Sequence, residues 1–116
     1  MDKQHRNVPA LLDDIRSNAE RALRFVEGMD WEQYAMDERG QYATARCLEI
    51  IGEAASHIPR DYQAQHPTIP WPAIIGMRNR LIHGYAGVDV LLCWNTIQND
   101  LPHLLGEVEK LLTDYQ

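Results

Sequence analysis

The chain has 116 residues, 45% of them apolar, and its eleven basic against seventeen acidic side chains give a net charge of −6. That length makes a single domain able to bury a core, and the acidic balance argues against a surface built for broad, non-specific nucleic-acid binding. No apolar run approaches the length of a membrane span, and the start, Met1-Asp2-Lys3-Gln4-His5-Arg6, lacks the apolar centre of a signal peptide. A soluble, cytoplasmic protein with no membrane partner is expected.

Helical periodicity dominates. Val8, Leu11, Leu12, Ile15, Ala19, Ala22, Leu23 and Val26 recur at three- and four-residue steps, the stripe of an amphipathic helix. Asn7 suits its N-cap, Pro9 its first turn and Gly28 its stop. Asp30 is placed to cap a short helical turn through Trp31 and Tyr34. A long helix is expected from about Asp37 to His57, with Ala43, Cys47, Ile50, Ile51 and Ala54 as its apolar stripe. Arg46, Glu49 and Glu53 lie beside that stripe. Such charges are ordinarily solvated edge residues; the other reading is a polar network reaching to a neighbouring helix.

Pro59 ends this helix, and Pro67, Pro70 and Pro72 punctuate a loop with room for one short turn around Asp61 to Gln65. Another helix begins near Trp71-Pro72, carries Ile74, Ile75, Arg78, Leu81 and Ile82, and is released by Gly84 and Gly87. The last starts around Val88 and presents Leu91, Trp94, Ile97, Leu101, Leu104, Leu105, Val108, Leu111 and Leu112. Pro102 lies inside that pattern, so a kink is expected near Gln98 to Leu101. The elements add up to an all-α, antiparallel bundle of about four to five helices in one domain over residues 1–116.

Cys47 and Cys93 are far apart in apolar stretches and read as small buried hydrophobes. The histidines at 5, 57, 66, 83 and 103 show no metal-ligand spacing, so no structural zinc and no cofactor are expected.

Met77 to Tyr85 concentrates two guanidiniums, an amide, an imidazole and a phenol where an apolar helix runs out at glycine. Arg is suited to gripping phosphate, and His exchanges protons near neutral pH. Asn79 and His83, four apart, share a helix face that Arg80 borders. Arg78 is five from His83, so only a long side chain or a bound phosphate could join them. Each residue also has an ordinary role: His as a cap or core residue, Arg as a solvated charge. The chemistry they could support together is RNA cleavage without a metal. A base takes the 2′-OH proton, Arg stabilises charge on the phosphoryl oxygens, and an acid protonates the leaving 5′-oxygen. One His serves both sides of a phosphorus poorly, whereas two copies in a two-fold dimer divide the work.

Arg78, Asn79 and His83, with four residues between the Arg and the His, resemble the signature of the HEPN superfamily. Tyr85, two residues after His83, is similar to the additional tyrosine of its HepT-like branch. Arg46 to Ala54 resembles that branch's second long helix. Val88-Asp89 through Trp94, and Asp100-Leu101-Pro102, resemble its last. The likeness runs from about Leu11 to Leu112. It implies a HEPN-like bundle and a metal-independent endoribonuclease toxin of a type VII toxin–antitoxin pair, acting as a homodimer, with RNA, and within RNA tRNA, as the expected substrate. It implies catalytic roles for Arg78 and His83, assistance from Asn79, and AMPylation of Tyr85 by an MntA-like nucleotidyltransferase antitoxin. Arg80 is expected to contact the RNA backbone. Two other readings stand beside this one: a non-catalytic nucleotide-binding partner of a nucleotidyltransferase, and a helical dimerisation subunit.

Overall fold

A computed structural model describes residues 7–81 and 87–116. Among them lie seven α-helices: α1 (Val8–Phe25), α2 (Trp31–Ala35), α3 (Glu38–Ser56), α4 (Arg60–Gln65), α5 (Trp71–Leu81), α6 (Val90–Asn99) and α7 (Leu101–Leu112), with a 3₁₀ turn at Thr113–Tyr115. The count exceeds four to five because two single-turn helices, α2 and α4, are included and because the last helix is divided. The architecture is the all-α helical bundle expected, with no strand among the described residues.

α3 is the centre of the bundle, packed against α1 on one side and α5 on the other; α7 completes the core against α1. Leu12, Ile15, Ala19 and Ala22 of α1 meet Leu48, Ile51 and Ala55 of α3 in a buried cluster that Ile97, Leu101, Leu104 and Val108 extend. Most of the expected stripes point inward. Leu91 does not, and lies half in solvent. Cys47 and Cys93 are free and buried, and burial pushes the Cys93 thiol up to about 11, which keeps it protonated and inert at neutral pH.

The ends of the helices follow local chemistry, with two departures. Asp30 and Gln33 form a reciprocal capping box on α2, Asp37 caps α3 through Gly40 N, and Asp89 caps α6 through Leu92 N at 3.1 Å. Gly28, with φ +81, turns the chain after α1. Asn7 occupies the N-cap position of α1, but its side chain makes no capping bond. The second departure is at Asp100. In place of a kink, α6 ends at Asn99 and α7 begins at Leu101, with Pro102 in the first turn of the new helix, where its missing N–H costs nothing.

Tyr34 fastens α2 to the bundle. Its buried hydroxyl lies 2.8 Å from Thr44 Oγ1, its ring stacks obliquely on Trp94 at 5.1 Å, and Gln41 Nε2 donates to the carbonyls of Tyr34 and Ala35. These contacts fix the N-terminal half of α3. Its C-terminal half is left to meet α5.

Candidate active site

The site is built where α3 and α5 come closest. Gly52 faces α5, and a Cβ built there would stand 2.8 Å from Cβ of Arg78 and 3.2 Å from the carbonyl oxygen of Ile74. Only a residue without a side chain permits that approach. It sets the stem of Arg78 directly against α3, one residue from Glu53.

Arg78 Nη1 then donates to Glu53 Oε1 across the two helices. The other carboxylate oxygen, Oε2, accepts from Nε2 of His57, the C-cap residue of α3, at 3.0 Å. Hydrogen bonding from His57, the largest influence, holds the Glu53 carboxyl below its ordinary range; burial opposes it, and the positive charge of Arg78 adds to the lowering. Glu53 is therefore an anion at neutral pH with a cationic partner on one side and an imidazole on the other. The pair is wet: the side chains of Arg78 and Glu53 are 26% and 57% exposed. In that setting an ion pair contributes about 0–1 kcal/mol to stability.

Arg78 and Asn79 open onto a cleft of about 820 Å³ whose other walls are Asp14, Arg46, Glu49, Ile50 and Glu53. Of the charges beside the α3 stripe, Glu53 reaches across to Arg78, while Arg46 and Glu49 line the cleft beside that pair. Arg80 does not line it. Two residues along a helix is about 200° of rotation, and Arg80 borders a separate, largely apolar cavity of about 380 Å³ with Met77, Leu92, Asn99, Asp100 and His103. His83 and Tyr85 lie outside the described residues. Among the described residues, no group of three or more His, Cys, Asp or Glu side chains is arranged to hold a metal ion. None of the described helices is long and apolar enough to cross a membrane.

His57 and Asp14 belong to this neighbourhood and were not singled out by sequence reasoning. For His57 a signal existed: Glu53 and His57 are four apart on one helix, the spacing at which side chains meet. For Asp14 there was none, because which face of α1 borders the cleft is a matter of packing.

The chemistry available in the cleft is that of an anion gripped by Arg. A guanidinium engaged through Nη1 keeps further N–H groups for a bidentate contact with a phosphate, and Asn79 beside it supplies both a donor and an acceptor.

The family profile described as "Ribonuclease HepT-like" matches residues 15–111 of the chain. The chain is 41% identical over 111 residues to "Probable ribonuclease HepT" of Thermococcus cleftensis, covering 96% of this chain and 98% of that one. It is 40% identical over 111 residues to "Putative RNase MJ0125" of Methanocaldococcus jannaschii, covering 96% of each. A bacterial relative, "Putative RNase TTE0752" of Caldanaerobacter subterraneus, is 37% identical over 101 residues, covering 87% of this chain and 90% of the relative. No solved structure gives a significant match.

Proposed function

The chain belongs to the HepT-like ribonuclease family, and from that premise we propose that it is a metal-independent endoribonuclease toxin whose site is centred on Arg78 and His83. The observation that carries the proposal is the fixed guanidinium of Arg78, held with Asn79 at the mouth of an open polar cleft. An RNA phosphate lies on Arg78, which stabilises the charge that builds on the phosphoryl oxygens. His83 takes the proton from the 2′-OH, O2′ attacks phosphorus, and the bond to O5′ breaks as a proton is delivered to it. The products are a 2′,3′-cyclic phosphate and a 5′-OH.

Base and acid stand on opposite sides of the phosphorus, so the His83 of a second protomer supplies the other proton transfer in a two-fold homodimer. A tRNA is the RNA proposed. Arg80, on the other side of α5 from the cleft, contacts the backbone of the same strand where it passes the end of that helix. Tyr85 follows His83 by two residues, and AMP placed on it by a nucleotidyltransferase antitoxin puts bulk and negative charge beside the imidazole. That excludes the RNA phosphate by sterics and repulsion.

Expression in cells tests the reading. Wild-type protein is expected to arrest growth, and Arg78→Ala or His83→Ala to relieve the arrest. Wild type and His83→Ala that are equally harmless, with neither cutting RNA in vitro, contradict it. Nucleotide binding without cleavage by the same preparations points instead to a binding subunit.

A further inference from the structure

The ion pair between Glu53 and Arg78 adds little to the fold, because both side chains are in contact with water. It does fix a direction. Arg78 carries a long side chain with many rotamers, and the cleft it faces offers other carboxylates, Asp14 and Glu49, and a competing cation, Arg46. Left alone, the guanidinium would divide its time among these neighbours. Glu53 is itself held, because its second oxygen is bonded to His57 at the C-cap of the same helix. Gly52, immediately before it, brings the stem of Arg78 into contact with α3.

We infer that Glu53, anchored by His57, is the residue that positions Arg78 for the substrate phosphate. The inference rests on the ribonuclease reading above and deepens it. Glu53 takes Nη1 of the guanidinium, which turns the parallel N–H groups of Nη2 and Nε toward the substrate, the pair suited to a bidentate grip. Glu53 touches neither RNA nor the reacting atoms in this scheme; it acts through Arg78. A guanidinium off its line by an ångström loses much of its effect on the transition state while still attracting RNA by charge. The loss therefore falls on kcat more than on KM.

Steady-state cleavage of an RNA oligonucleotide by the full chain tests this. Glu53→Ala is expected to lower kcat at least about tenfold with KM within about threefold. Glu53→Gln, whose amide oxygen still accepts from Nη1, is expected to recover kcat to within about threefold of wild type. Lys110→Ala, which removes an ion pair with Glu107 on α7, neither residue lining the cleft, serves as the control and leaves both constants unchanged. A second readout needs no activity: the guanidinium ¹⁵N–¹H signals of Arg78, identified by their loss in Arg78→Ala. They are expected to be resolved in wild type and Glu53→Gln, and averaged by free rotation in Glu53→Ala. Wild-type kcat in Glu53→Ala, or Arg78 signals indifferent to it, overturns the inference while leaving the ribonuclease reading standing. A wild-type protein that cuts no RNA overturns that reading instead, and the Arg78 signals then decide alone whether Glu53 aims the guanidinium.

Discussion

Gly52 and Arg78 stand back to back: a Cβ on Gly52 would lie 2.8 Å from Cβ of Arg78, closer than two such atoms come. The separation of α3 and α5, and with it the reach of Arg78 to Glu53, depends on a hydrogen atom at that position. Gly52→Ala is predicted to force α5 outward, to destabilise the protein by about 1–3 kcal/mol and to cost activity by displacing Arg78. Urea unfolding and RNA cleavage measured on the same preparation check both parts. An alanine variant as stable and active as wild type shows that the helices are free to adjust.

The two N-cap positions make a paired prediction. Asp89 accepts from Leu92 N at the start of α6, whereas the side chain of Asn7 makes no capping bond on α1. Asp89→Ala is expected to cost about 1 kcal/mol, and Asn7→Ala a small fraction of that. Equal losses in thermal unfolding contradict the assignment.

Tyr34 gives a pH dependence of definite sign. Burial, the largest influence, raises its phenol from the ordinary 10 to about 12. The folded state therefore holds this proton more tightly than the unfolded state does. Its contribution is fully present below pH 10 and is lost as pH rises from 10 toward 12, by up to about 3 kcal/mol. Tyr62, also raised mainly by burial, adds in the same direction. Tyr34→Phe leaves Thr44 bonded to the carbonyl of Gly40, so it is expected to cost about 1 kcal/mol at neutral pH and to shrink the alkaline loss. A Phe variant whose stability falls with pH as steeply as wild type contradicts this origin.

Much of this architecture was legible in the chain because periodicity reports which face of a helix is buried. Val8, Leu12, Ile15, Ala19 and Ala22 read as core and are core, and Asp30 before Trp31 read as a cap and is one. What spacing does not report is the partner. Arg46, Glu49 and Glu53 share an edge of α3 in any reading, but whether that edge faces water or Arg78 depends on how α5 crosses. The crossing is set by Gly52, a residue with no side chain to notice. Pro102 inside the apolar pattern predicts a kink, because proline removes one bond of a continuing helix. The chain instead starts a new helix at Leu101, which puts the proline where no bond is lost. Arg78 and Asn79 could be placed together from sequence because they are neighbours. Arg80, two positions on, lines another cavity for the same helical reason.

The antidote proposed for Tyr85 has its own test. Incubation with ATP and an MntA-like nucleotidyltransferase is expected to add the mass of AMP to a peptide containing Tyr85, and to abolish RNA cleavage in step. Modification confined to Tyr42, whose side chain is exposed, or to Tyr62 contradicts the assignment.

The most direct test of the central claim is cleavage of a defined RNA by the purified protein in the presence of a chelator, with the product ends identified. Wild type is predicted to leave a 2′,3′-cyclic phosphate and a 5′-OH, to fail on a strand carrying a 2′-deoxy sugar at the cut, and to lose at least about a hundredfold in rate in Arg78→Ala and in His83→Ala. Cleavage that persists in both variants, or that proceeds through the 2′-deoxy position, contradicts it.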